Sequence, residues 1–334
     1  MGRAPLAWAQ ASFLEPVQIR SAYAPYTSVG PYFIAKAKGY FKKLGIELTD
    51  RSVADHSLVM PALAAGEIDL TSATTSAGLF NAMAKGTPIK LFMERAREAP
   101  GMGSNAILVN NELYARGFTN LDGYRLAKGQ KIGMAARGSV AQYMHVTALE
   151  RVGLTANDVD WQWGMAPSVS TQLLATNKIG LANLALPGAY AAAKKGVGKI
   201  VAWSDEIKPN FVLVLMVVNE KFLAAHYSAV VRFGMAMLQA NREYNAAARN
   251  GNPEILEIIS KATGLPASVI DETRPRWALM SEDGLPDLAS IMEQQRFWHE
   301  RTDLLVKTVP EDQMFTLKAI KEARARLDER NPFV

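Results

Sequence analysis

Three hydroxyl-bearing turns carry the side chains best suited to chemistry: Tyr26-Thr27-Ser28, Thr74-Thr75-Ser76 and Arg137-Gly138-Ser139-Val140. Each follows a segment of strand pattern and precedes one of helix pattern. Each therefore stands at a helix N-terminus, where unpaired N–H groups and a partial positive charge favour an anion. The hydroxyls can donate to an oxyanion, Gly138 lets the backbone approach closely, and Arg137 adds a full positive charge. Ser104, Pro167-Ser168 and Leu186-Pro187 are further candidates, with Tyr23, Tyr26, Tyr190 and Trp163 as walls for an aromatic or aliphatic ligand body. Each serine also has a plain use as an N-cap worth about 1 kcal/mol to its helix, and Arg137 as a solvated charge. The residues alone leave both uses open.

Other chemistries find little support. With no cysteine, the chain has no disulfide, thiolate metal site, iron–sulfur cluster or cysteine nucleophile, and no thiol for a lipid anchor. His56, His145, His226 and His299 are scattered without metal-ligand spacing. Glu94, Glu98 and Asp69 show no acid/base spacing, and neither a nucleophile elbow nor a phosphate loop is present. No cofactor, metal or catalytic residue is expected. The net charge of +5 is spread without a Lys/Arg block, so no nucleic-acid partner is expected. At 49% apolar and 21% charged the chain is globular, and no apolar run reaches the roughly 20 residues of a membrane span. Met1–Ala11, ending Ala9-Gln10-Ala11, reads as the remnant of a signal peptide, with a disordered tail of a cytosolic protein as the alternative; the first reading implies an exported mature chain starting near Ser12.

The candidate turns need a scaffold, and the hydrophobic pattern supplies one. Strand pattern over Val17–Tyr23, Ile46–Thr49, Ile68–Ser72 and Ile89–Met93 alternates with helix pattern over Pro31–Leu44, Ser57–Ala65 and a segment ending at Ala84. After the bend Pro100–Gly103 the rhythm repeats. Strands are expected at Ala106–Val109, Lys131–Ala135, Val159–Trp163, Leu181–Leu184 and Ile200–Ser204, and helices at Ser139–Arg151, Ser168–Asn177 and Pro187–Lys195. Ser139 and Gln142 have capping-box spacing. Such alternation predicts βαβ crossovers and mainly parallel sheets. Phe211–Val218 is an unbroken apolar run, suited to a strand buried on both faces. Beyond it, helices are expected over Ser228–Asn250, Pro253–Ala262, Pro266–Arg274, Pro286–Arg301 and Glu311–Leu327, with Val230, Val231, Phe233, Met237 and Leu238 packing back onto the first α/β unit.

Three segments, in order, resemble the periplasmic substrate-binding proteins of ABC importers for sulfonates, taurine, nitrate and thiamine precursors, the NMT1/SsuA-like group. They are Pro31–Phe41, with its Lys38-Gly39-Tyr40-Phe41 ending, Ala62–Asp69, and Lys131–Gly153. The resemblance implies a type II periplasmic-binding-protein fold: two doubly wound α/β domains joined by a two-strand hinge, with a helical C-terminal tail. The domains it implies are 12–103 with 212–334, and 104–211. It further implies a soluble, monomeric, non-enzymatic protein that takes a small organic anion in the interdomain cleft and delivers it to a permease and ATPase. A thiamine-pyrimidine precursor or aromatic acid is the alternative ligand, and a pyrimidine-synthesis enzyme of the NMT1/THI5 kind the alternative function. A cytosolic sensor on the same fold lacks a helix-turn-helix segment to serve it. The chain departs from the group's pattern at Asn177–Asn183 and at Leu186-Pro187.

Overall fold

A computed structural model describes residues 15–53 and 59–334. The segment Met1–Ala11 and His56 lie outside the described residues. Among those residues the strands form three sheets. β1 (Val17–Tyr23) and β2 (Ile46–Ser52) make a parallel pair. β3 (Leu70–Thr74) and β4 (Ile89–Glu98) flank β10 (Phe211–Asn219), with β11 (Leu279–Met280) on the far side of β4. The third sheet is built from β5 (Asn105–Val109), β6 (Lys131–Gly133), β7 (Asp160–Gln162), β8 (Leu181–Ala185) and β9 (Lys199–Trp203), in the order 7-6-8-5-9.

The expectation of mainly parallel sheets needs correction. β6 is parallel to β7 and β8, but β5 is antiparallel to both its neighbours and β10 to both of its own. β5 and β10 are the first strands after the chain passes from one sheet group to the other. Neither is delivered by a helical crossover, so neither is held to the parallel direction. The two passages run side by side: the Asn210 amide donates to the Glu98 carbonyl at 2.8 Å, and the Gly101 amide to the Asp205 carboxylate at 2.7 Å.

Every residue of β10 is buried, as its unbroken apolar run requires. Its position between β3 and β4 makes it the spine of the first group. The helix expected over Pro31–Leu44 is two helices, α1 (Gly30–Ala37) and a turn at Tyr40–Lys43. Gly39, at φ +71°, breaks the run in the left-handed region. Other helices used below are α2 (Ala77–Ala84), α3 (Val140–Arg151), α4 (Pro167–Ala175), α5 (Gly188–Lys194), α6 (Tyr227–Asn250), α7 (Pro253–Thr263), α8 (Leu288–Glu300) and α9 (Lys318–Glu329). α6 packs on α1 and α9, so the helical tail returns to the first group as its pattern predicts. Val230, Val231, Phe233, Met237 and Leu238 are all fully buried, and Phe233 stacks on Phe41 at 4.9 Å. Each such side chain contributes roughly 1.5–3 kcal/mol of hydrophobic stabilisation.

The two groups also touch through side chains. Tyr143 of α3 packs between Phe211 of β10 and Phe297 of α8, with ring centroids 4.9 and 4.1 Å apart. No described helix is long and apolar enough to cross a membrane.

Candidate functional site

A cavity of about 200 Å³ lies between the two sheet groups. Its first wall comes from the turn Thr27–Val29, the end of β3 and the middle of β4 and β10. The second comes from β5, β6, β8 and the N-termini of α3 and α4. Such a volume falls below the roughly 300–1,000 Å³ of drug-sized ligand sites, so it suits a small molecule.

The chemistry centres on Arg95, which sequence inspection overlooks. It is 1% exposed, and among the described residues no acceptor takes a hydrogen from its Nε or Nη1. Desolvation lowers its pKa to about 10, still far above neutrality, so the guanidinium is a buried cation. Its orientation comes from a β-bulge. Ala96 pairs with Val214 and Glu94 with Leu215, leaving Arg95 as the extra residue on β4. A second irregularity leaves Leu213 unpaired on β10. Both line the cavity, in keeping with the use of bulges to re-aim side chains beside binding sites.

The acids near Arg95 in sequence do not neutralise it. Glu94 accepts from Arg97 Nε at 2.6 Å and from the Asp287 amide at 2.8 Å. Glu98 accepts from the amide and hydroxyl of Ser104 at 2.6 and 2.9 Å, and from Asn105 Nδ2 at 2.8 Å. Burial raises the pKa of both carboxyls. Among the described residues Arg95 is the only charged side chain lining the cavity.

The sequence candidates divide. Tyr26, Thr27, Ser28, Thr74, Ser104, Ser139, Val140, Pro167 and Leu186 all line the cavity. Ser28 sits inside the turn Thr27–Val29 and does not cap α1, whose N-cap is Val29 without a side-chain bond. Ser139 does cap α3, accepting from the Gln142 amide at 3.4 Å. The expected reciprocal bond lands one residue early: Gln142 Oε1 takes the Gly138 amide at 2.7 Å. The N–H groups of Val140 and Ala141 remain without intrahelical acceptors at the cavity wall.

Thr75, Ser76, Arg137, Gly138, Pro187 and Tyr190 lie outside the cavity lining. Thr75 is fully buried, its hydroxyl donating to the Val212 carbonyl and its amide to that of Leu213, so it fastens β3 to β10. Ser76 caps α2 through the Leu79 amide. Arg137 is exposed and lies over the Trp163 ring at 5.2 Å, in a surface groove with Trp161 and Arg301. It stands on that ring outside the cavity lining, whereas the sequence reading placed it at the head group. Gly138 (φ +70°) bridges the groups instead, its carbonyl accepting from the Ala77 amide at 2.9 Å. Pro187 follows a cis bond and caps α5, and Tyr190 packs toward Trp203. Residues missed alongside Arg95 are mostly apolar lining, notably Met134, Met165 and Val214, with Ser170 and Asn183 as polar additions. Asn183 falls in the segment that departs from the resembled pattern. The signal for Arg95 was present: the run Glu94-Arg95-Ala96-Arg97-Glu98 continues a strand without a turn residue.

The fold is shared with solved binding proteins. It matches a ligand-binding component of an ABC-type import system from Staphylococcus aureus with a TM-score of 0.76 at 16% identity, covering 92% of this chain and 99% of that one. It matches the periplasmic aliphatic sulphonate binding protein SsuA from Escherichia coli at 0.73 and 18%, covering 90% and 92%. For the periplasmic nitrate-binding protein NrtA from Synechocystis PCC 6803 the values are 0.73 and 14%, covering 96% and 91%. No curated protein sequence matches the chain. The model of the NMT1-like family matches residues 13–260, well over half of the sequence, and the protein belongs to that family.

Proposed function

We propose that the protein is the solute-binding component of an ATP-driven importer, and that it captures a small organic anion between its two α/β units for delivery to a membrane permease. The observation that carries this reading is Arg95, a buried cation whose Nε and Nη1 have no partner among the described residues, on a cavity whose described lining holds no acid. An unpaired buried charge is costly. An oxyanion that forms charge-assisted hydrogen bonds to it offsets that cost, and does so best when both units enclose it. Thr27, Ser28, Thr74 and Ser139 supply hydroxyls around the head group, Ser104 lines the cavity with its hydroxyl proton given to Glu98, and Val140, Pro167 and Leu186 shape the second wall. The units divide as 12–103 with 212–334, and 104–211, with closure by a hinge at the paired ends of β4 and β10.

The head group is a sulfonate or a carboxylate, a choice supported by the sulphonate-binding description of one structural relative. The permease and its ATPase are the partners, supported by the import-system description of another. The protein acts as a soluble monomer in the periplasm, reached through the Met1–Ala11 segment.

A thermal-shift screen of alkanesulfonates, short carboxylates, nitrate and pyrimidines tests this. A ligand at about 100 times its Kd adds roughly 2.7 kcal/mol of stability. At least one organic anion should raise the midpoint in the wild type and fail to do so in Arg95→Gln. Stabilisation only by neutral or cationic compounds, or turnover of a compound that binds, would falsify the reading.

A further inference from the structure

We infer that the site selects monoanions with an uncharged apolar body and rejects zwitterions that carry an ammonium group. The inference rests on the anion-binding reading above and sharpens it. Of the side chains lining the cavity, one is cationic and none is acidic. A ligand ammonium would therefore enter without a carboxylate to receive it. Glu98, the buried acid bonded to the lining residue Ser104, is not available. Its oxygens accept two hydrogen bonds from Ser104 and one from Asn105. The Ser104 hydroxyl proton is likewise committed to Glu98.

The apolar part of the lining lies on both walls. Leu213 and Val214 are on β10 beside the strand of Arg95, Met134, Met165 and Leu186 come from the second group, and four of the five are at most 5% exposed. The flexible thioethers of Met134 and Met165 fill space around an alkyl chain of variable shape, but neither is a useful acceptor for an ammonium. The helix N-termini of α3 and α4 also present partial positive charge to the cavity, which repels a second cation. Charge, burial and lining all favour one negative group and no positive one. An ammonium there meets only neutral acceptors such as the Asn183 amide, which offset less of its lost hydration than a carboxylate would, whereas a methyl in the same place gains from leaving water.

Two isosteric pairs test this by calorimetry on the full chain: propane-1-sulfonate against taurine, and butyrate against β-alanine. Within each pair a methyl replaces an ammonium and the head group is constant. For whichever head group binds, the methyl member should bind at least tenfold more tightly. Equal or tighter binding of taurine or β-alanine overturns the selectivity while leaving anion capture intact, provided Arg95→Gln abolishes that binding. Binding that survives Arg95→Gln unchanged, or no binding of any of the four by the wild type at 10 mM, a threshold of roughly 2.7 kcal/mol, overturns the anion-capture reading and this inference with it.

Discussion

Arg95 places function and stability in opposition at one residue. With no acceptor for Nε or Nη1 among the described residues, its charge is a burden on the ligand-free fold. Arg95→Met keeps the volume and removes the charge. The ligand-free protein should melt higher, by about 1.4 °C per kcal/mol recovered, while anion binding is lost. A lower midpoint would show that Arg95 holds the fold together. The residue is hard to read from sequence because a charged run ordinarily marks a solvated surface. Here Arg97, Asp287, Ser104 and Asn105 bury the flanking glutamates, and the strand continues through them. His145 offers a second residue-level test. It is fully buried, with Nδ1 2.9 Å from the Tyr124 hydroxyl and Nε2 unpartnered, and burial lowers its pKa to about 3. The unfolded value is about 6.5, so between these limits the unfolded chain binds the extra proton. Its contribution to stability is complete above pH 6.5 and lost as pH falls toward 3. Urea titrations should show the wild type losing about 2 kcal/mol more than His145→Gln between pH 7 and pH 5. Parallel losses would remove His145 from the acid response.

At the scale of elements, the helices and most strands are legible because their periodicities are long and their caps are marked. Ser139 before α3 and the five buried apolar positions of α6 follow directly from the sequence. What escapes is the bulge pattern of β4 and β10, since one extra residue in a ladder leaves no trace in hydrophobic alternation. The use of the α3 N-terminus escapes for a related reason. Arg137, Gly138 and Ser139 are adjacent in sequence, yet one leaves for solvent, one bridges the units and one caps a helix at the cavity wall. Gly138 provides the test. A Cβ built there would stand 2.7 Å from that of Ala77, in a backbone region that disfavours side chains. Gly138→Ala should loosen the Ala77–Gly138 contact, expand the molecule in small-angle scattering, and weaken ligand binding about tenfold, near 1.4 kcal/mol. Unchanged scattering and affinity would exclude that contact from closure.

For the molecule as a whole, the repeat of two α/β units and the return of the helical tail are visible in the order of patterns. The interleaving of the sheets is not, because strand order is a long-range choice. β10 is separated from β4 by the entire β5–β9 sheet, yet lies hydrogen-bonded beside it. The same arrangement holds Tyr143 against Phe211 and Phe297, an aromatic contact that joins the two sheet groups. It also bears on the order of folding. As the chain leaves the ribosome, β3 and β4 emerge without the strand that belongs between them, while β5–β9 form an uninterrupted stretch able to complete its own sheet first. The later-made sheet can therefore be completed before the earlier-made one, whose β3 and β4 keep two unpaired edges until residue 219 has been added.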